Sequence, residues 1–528
     1  MTNSIDEISG ADFILAMGTN TTETHPIISL QVRKALNNGA NLVVADPRKT
    51  EMADLANTYL PMASGSDLAI LNAMANVIIE EELYDKKFVE ERTEGFEALK
   101  AGVAKYTPEY SSKIANLPAD TIRQVAREYA TAGKSTILYT MGVTQHITGT
   151  DNVLGIANLA MLTGNIGRES TGVNPLRGQN NVQGACDMGG LPNVYPAYQK
   201  VDLPEIKEKF EKAWGAELNP KPGITLGEML KGAYDGSLKA FYVMGENPML
   251  SDPDSAHVEE SLKNLELLIV QDLFLTETAE LADVVFPASS FAEKDGTFVN
   301  TERRIQRVNK AIEPVGESKS DWEIVQMLAK AMGYDMNYSS AAEIMDEIAT
   351  VAPSYGGISY KRLAVEKDGL QWPCPDADHP GTKFLHTGKF PIGKGKLTFV
   401  EHQVPDEQVD DDYPFYLTTG RKLWHYHTGT MTRRSKGLDW KSPEELIEIN
   451  PSDAKLYCIN DGDRIKLSSR RGSIEAAVEI TDRVQPGLVF ASFHFKEAAI
   501  NKLTNPTTDP KAKIPELKVC AVKIEKIA

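Results

Sequence analysis

Between Phe13 and Ser170, short apolar runs alternate with amphipathic stretches. Phe13–Met17 (FILAM) predicts a buried strand, Pro26–Asn38 a helix, and Asn41–Ala45 (NLVVA) the next strand. Leu71, Met74 and Ile78, spaced by three and four, mark one face of a further helix. Pro118–Ala132 predicts another, with its proline at a tolerated first-turn position, and Ser135–Thr140 (STILYT) another strand. Strands alternating with helices of this length predict a parallel α/β sheet.

The pattern returns further along. Ala240–Met244 followed by Gly245 echoes Phe13–Met17 followed by Gly18. Asp46 follows Gly18 by 28 positions, and Asp272 follows Gly245 by 27. After each aspartate, residues 50–61 (TEMADLANTYLP) and 276–287 (TETAELADVVFP) are identical in six of twelve columns. Matching strand, glycine, aspartate and helix spacings indicate an internal duplication rather than two similar helices. The order of the unit suits a nucleotide. Glycine at a strand end lets backbone N–H groups approach a phosphate, and an acidic residue ending the next strand can meet ribose hydroxyls or a purine edge. Two units imply two nucleotides, or one ligand with two nucleotide arms. No G-x-G-x-x-G follows either strand, so this is not an NAD fingerprint.

The C-terminal part changes character. Pro414–Thr419 (PFYLTT) predicts a strand that turns away at Gly420-Arg421-Lys422-Leu423, and residues 461–478 predict short alternating strands joined by turns, which fits a small β-barrel.

Composition narrows the possibilities. With 528 residues the chain is too long for one core; 41% hydrophobic and 25% charged residues describe a globular protein. A formal charge of −18 argues against a nucleic-acid partner. Glu302-Arg303-Arg304-x-Gln306-Arg307 is basic, but its acidic surroundings suit a cofactor-side or salt-bridged stretch. Cys186, Cys374, Cys458 and Cys520 lie far apart with no C-x-x-C pair, which excludes a zinc ribbon or an iron–sulfur site built from these cysteines. His425 and His427 lack further spaced ligands, so no metal site is expected from them. No apolar run reaches the roughly 18–20 residues of a membrane span, and no signal sequence opens the chain; a cytoplasmic protein is expected.

The segment Gly172-Val-Asn-Pro-Leu-Arg177-Gly-Gln179-Asn180-Asn181-Val-Gln183-Gly-Ala-Cys186-Asp187-Met188-Gly189 is polar and glycine-rich, as a cavity-lining loop would be. With Met141-Gly-Val-Thr-Gln145 and Asn165-Ile-Gly167, it resembles the formate dehydrogenase branch of the bis-molybdopterin guanine dinucleotide oxidoreductases, over Met1 to about Ala528. The resemblance implies two pseudo-symmetric, doubly wound parallel-sheet domains and a C-terminal β-barrel. The expected divisions are 1–179, 180–291 (an incomplete second α/β domain), 292–384 (the remainder of a cluster-side domain) and 385–528. It also explains the duplication, since two pterin guanine dinucleotides hold one molybdenum or tungsten. One would be served by Gly18, Asn20, Glu23, Asp46, Arg48, Gly65 and Asp67, with Met141 and Gln145 near the same pterin. The other would be served by Gly245, Asn247, Ser251, Gln271, Asp272, Thr278 and Asp321. Glu23 stands where a shorter aspartate is expected, and Asn247 where some relatives have aspartate. Gln179 belongs to the same cofactor-side string, and Arg421, His427, Asn501 and Lys518 of the barrel would contact the pterins.

Arg177 is the candidate for substrate, because a guanidinium offers a planar fork of donors to a small carboxylate such as formate. The resemblance implies oxidation of formate to CO2, with electrons passed to an iron–sulfur or flavin subunit or a hydrogenase. A nitrate reductase of the same fold and a metal-free structural relative in a respiratory complex are the alternatives. Family members carry a 4Fe-4S domain and a cysteine or selenocysteine followed by histidine, neither of which occurs here. Both are expected upstream of Met1, as if a selenocysteine codon had been read as a stop, and the chain alone is expected to be inactive.

Overall fold

The computed structural model of the chain describes residues 1–527. Two compact units divide it: Met1–Leu176 together with Leu250–Ala256 and the chain from Phe384 onward, and Arg177–Met249 together with His257–Lys383.

The first unit contains β1 (Phe13–Met17), α1 (Pro26–Asn37), β2 (Asn41–Ala45), β3 (Thr58–Leu60), α2 (Asp67–Glu80), α3 (Ala119–Thr131), β4 (Ser135–Tyr139), α4 (Gly149–Leu162) and β5 (Gly172–Pro175). The strands form one sheet in the order β3-β2-β1-β4-β5, every neighbour parallel. Alternate residues of a strand face opposite sides, and both sides are covered. Phe13, Leu15, Met17 and Val43 pack with residues of α2, α3 and α4, whereas Ile14, Ala16, Leu42 and Val44 pack with Ile28, Val32 and Ala35 of α1. Near-continuous apolar strands follow from that two-sided burial.

Three details depart from the sequence pattern. Pro118 precedes α3 as its N-cap residue instead of lying in the first turn. Every residue of α2 from Asp67 to Ile79 is buried, so the face marked by Leu71, Met74 and Ile78 is only part of a helix enclosed on all sides. The polar segment expected to be a loop begins as edge strand β5 and later forms the short helix α5 (Val182–Asp187). Pro175 ends β5 on the sheet edge, where a missing N–H is tolerated, and buried Asn174 accepts from Asn3 N and donates to Thr136.

In the second unit, β6 (Ala240–Met244), β7 (Leu267–Asp272) and β8 (Val284–Pro287) form a parallel sheet in the order β8-β7-β6. The sheet formed by β9 (Gly296–Val299), β10 (Arg304–Val308) and β11 (Leu370–Gln371) is antiparallel. The basic stretch lies here: Arg304 pairs with Glu302 at 2.8 Å, and buried Arg303 donates to the carbonyls of Trp372 and Thr382.

The first unit also contains β12 (Phe415–Gly420), β13 (Leu446–Ile449), β14 (Arg464–Ser468), β15 (Ser473–Ile480), β16 (Leu488–Ser492) and β17 (Cys520–Lys526). These strands close a six-stranded barrel in the order β12-β16-β13-β15-β14-β17. Its interior takes alternate residues, including Phe415 and Leu417, Ile447 and Ile449, and Ile465 and Leu467. No described helix is long and apolar enough to cross a membrane.

Candidate functional site

The duplication extends to atoms. Gly18 N donates to Ala45 O at 2.9 Å, and Gly245 N to Gln271 O at 2.8 Å; both glycines are left-handed, with φ of 53° and 63°. Asp46 accepts from Arg48 N at 2.9 Å, and Asp272 accepts from Phe274 N at 3.1 Å. Leu42 N is received by Asn57 Oδ1 at 2.9 Å, and Leu268 N by Asp283 Oδ2 at 2.7 Å. Each half thus ends its first strand at a bare glycine and its second at an aspartate fixed by an i+2 backbone bond.

In the first sheet, strand order reverses between β1 and β4, and the carboxyl ends at such a reversal form the binding crevice of open α/β folds. Gly18 and the loop Met141–Gln145 meet there. Gly142 N donates to Gly18 O at 3.2 Å, and Thr140 Oγ1 to the same oxygen at 2.7 Å. A Cβ on Gly18 would come within 2.7 Å of the Gly142 carbonyl carbon, so both positions need glycine for this approach. Gly65 is left-handed and would clash with Pro405 through a Cβ. It lines a 620 Å³ cleft with Pro47, Ser66, His402, Pro405 and Leu488.

Several buried polar atoms around this crevice have no hydrogen-bond partner in the protein. Thr19 Oγ1, Asn20 Nδ2, Thr21 Oγ1, one oxygen of Glu23 and both oxygens of Asp67 are buried without a hydrogen bond. Buried polar atoms are nearly always satisfied, so this mixture of donors and acceptors fits a polar ligand with both kinds of edge, as guanine and pterin have. Asp67 begins α2 at 1% exposure. Desolvation, reinforced by Asp46, pushes its carboxyl up to about 7. His146 lies 3.9 Å from Asp67 and 3.9 Å from Glu516, and burial brings its imidazole down to about 4. Burial likewise raises Glu516 to about 7.

One cationic group of the barrel segments, Lys518, interacts with Asp46. Lys518 donates to Thr419 O at 2.6 Å. Desolvation and the Arg421 guanidinium bring its ammonium down to about 8, against the pull of Asp46. Asp46 itself is raised by desolvation to about 6. His427 is brought to about 4 by desolvation and by Arg421, and its carbonyl accepts from His494. Asn501 Nδ2 donates to the carbonyls of Leu250 and Ser251 at 2.8 and 2.9 Å, so Ser251 lies in the first unit. Arg48 is gripped by Glu448 through Nε at 2.7 Å and Nη2 at 2.6 Å, and covers the ring of Phe490 at 4.1 Å.

Within the second unit, Asn247 Oδ1 accepts from Thr278 Oγ1 at 2.7 Å, and Gln271 donates to Asp321 at 2.7 Å. Asp321 also pairs with Lys294. Arg177 donates its backbone N–H to Thr301 at 3.0 Å and its Nε to Gln183 at 3.1 Å; half-buried Gln179 follows on the same loop. All four cysteines are free, and no group of three or more metal-ligating side chains occurs among the described residues.

Sequence reasoning did not single out Thr19, Thr21, Gly142, His146 or Glu516. Gly142 stood inside a quoted motif, whereas the roles of the others depend on burial that spacing does not reveal.

Two family models match: molybdopterin oxidoreductase over residues 1–331, and the molybdopterin dinucleotide binding domain over 415–521. The F420-dependent formate dehydrogenase subunit alpha of Methanocaldococcus jannaschii is 54% identical over the whole chain, which covers 78% of that protein. Formate dehydrogenase H of Escherichia coli is 42% identical, again over the whole chain and 74% of the relative. Among solved structures, the acetylene hydratase of Pelobacter acetylenicus superposes with a TM-score of 0.78 at 20% identity, covering 100% of this chain and 81% of that one, a likeness of fold.

Proposed function

The chain belongs to the molybdopterin oxidoreductases as a formate dehydrogenase catalytic subunit, and from that premise we propose how its residues divide the work. The observation that carries the proposal is the set of buried, unpartnered groups at the first crevice, Thr19, Asn20, Thr21 and Asp67.

One guanine dinucleotide is held by Gly18, Asn20, Glu23, Asp46, Gly65 and Asp67, with Met141 and Gln145 beside its pterin. The other is held by Gly245, Asn247, Gln271, Asp272, Thr278 and Asp321. Arg421, His427, Asn501 and Lys518 serve the pterins from the barrel segments. Arg48 acts at one remove, because its guanidinium is engaged by Glu448. When bound, the molybdenum or tungsten pterin centre supplies the two-electron oxidation. Arg177 binds the formate carboxylate and orients it; formate leaves as CO2, releasing one proton and two electrons.

The name of the 54% identical relative favours the deazaflavin F420 as final acceptor, reached through an iron–sulfur or flavin partner subunit. None of the four cysteines is followed by histidine or lies in C-x-x-C spacing. We therefore propose that this chain alone turns over no formate, with a cysteine or selenocysteine ligand and a 4Fe-4S cluster supplied from other residues. Formate-dependent dye reduction by the purified 528-residue chain would contradict this.

For the complete enzyme, pterin and metal analysis tests the cofactor. Formate titration of Arg177→Lys tests the clamp: losing the planar fork should lower kcat/KM by about tenfold or more, and an unchanged value rejects the assignment.

A further inference from the structure

Asp187, the last residue of α5, has no exposed surface and accepts four hydrogen bonds. One oxygen receives Gln183 Nε2 at 2.7 Å and Tyr198 OH at 2.9 Å; the other receives Tyr355 OH at 2.6 Å and Trp372 Nε1 at 2.7 Å. Tyr198 reaches it from two consecutive left-handed residues, Ala197 at φ 62° and Tyr198 at φ 59°. Side chains other than glycine adopt that conformation at a cost, and only where the surroundings impose it.

The chemistry of the hub sets the orientation of its neighbour. Both oxygens of Asp187 act as acceptors here, from two tyrosine hydroxyls, an indole N–H and an amide. The carboxamide of Gln183 must therefore turn its NH2 end to Asp187, where Tyr198 OH also meets it at 3.0 Å. Its oxygen is left facing the other way, and there it takes the Nε–H of Arg177 at 3.1 Å. Arg177 is thus fixed in rotation by an amide whose own orientation is dictated by Asp187. A carboxylate fork on that guanidinium, where one forms, is made by its two Nη groups.

We propose that Asp187, acting through Gln183, is a positioning residue for formate, setting the plane in which Arg177 presents its donors. The proposal rests on the reading of Arg177 as the substrate clamp. The alternative is that the hub only ties residues 198, 355 and 372 together.

The test uses the complete, cofactor-loaded enzyme and four variants: Arg177→Ala, Asp187→Asn, Gln183→Met, and Arg177→Ala combined with Gln183→Met. Formate KM, kcat, bound pterin and the unfolding midpoint are measured for each. Asn lets the Gln183 amide flip, and Met removes the acceptor while keeping the volume. Each should raise the formate KM by about tenfold, the scale of one lost hydrogen bond to a charged group, with a smaller change in kcat and unchanged pterin content. In the Arg177→Ala background, Gln183→Met should have no further effect on KM. If Arg177→Ala leaves KM unchanged, the clamp reading itself fails. If Arg177→Ala raises KM and Gln183→Met does not, or does so equally in both backgrounds, the relay is overturned while the clamp stands. Should Asp187→Asn lose pterin or fail to fold, Gln183→Met decides, since it leaves Asp187 and its three remaining donors in place.

Discussion

Asp67 shows how far a single side chain departs from its ordinary chemistry when it is buried without a hydrogen-bond partner. Its folded value of about 7 lies above the ordinary 3.8, so the fold holds a proton that the unfolded chain releases. That contribution to stability is fully present below about pH 4 and is lost as the pH rises towards 7. His146, Glu516 and Asp46 titrate nearby, and the raised carboxyls Glu516 and Asp46 push in the same direction. We expect Asp67→Asn to raise the unfolding midpoint of the cofactor-free chain at pH 8, by about 1–3 kcal/mol of stability, and to do much less at pH 4. Thermal unfolding at the two values checks this; equal effects would mean that Asp67 is ionised throughout. Arg48 gives the opposite lesson. Its place after Asp46 suggests a ligand contact, and it also has a partner, Glu448, that is 400 positions away and invisible to local spacing. Glu448 also receives Arg483 at 2.8 Å and has no exposed surface. Glu448→Ala, leaving two arginines without their shared carboxylate, should cost about 3–5 kcal/mol, read as a lower urea midpoint.

At the scale of elements, close approach of backbones decides what the crevice can tolerate. A Cβ at residue 142 would meet Gly18 O at 2.5 Å, backbone against backbone, with no flexible side chain to give way. Gly142→Ala should therefore cost about 1–3 kcal/mol of stability and reduce pterin retained after purification, measured by pterin fluorescence. Full retention would show that the two loops can separate freely. Most elements of this half are legible in the sequence, because strands buried on both faces read as apolar runs and the duplicated spacing repeats them. Residues 172–189 are not: β5 (GVNP) and α5 (VQGACD) are short and carry few large apolar residues, and their polar side chains find partners, such as Asn3 for Asn174, elsewhere in the chain. The Asp187 hub is hidden for the same reason, since its donors stand at 183, 198, 355 and 372.

For the whole molecule, the two halves of the duplication are finished differently. The first sheet has five strands, and the second stops at three. Met244, Leu275, Val284 and Val285 are each exposed on or beside that second sheet, Val284 and Val285 on opposite faces of its edge strand β8, and exposed apolar side chains promote association. We expect the chain on its own to self-associate with rising concentration in light scattering, and a Val284→Thr, Val285→Thr pair to reduce it; indifference to the pair would place the sticky surface elsewhere. The path of the chain has a consequence in time. Leu250–Ala256 interrupts the second unit to join the first, where Asn501 holds the carbonyls of Leu250 and Ser251. During synthesis Asn501 emerges some 250 residues after the segment it secures. The second unit can thus form its sheet on the ribosome while its excursion stays untethered until Asn501 has been made.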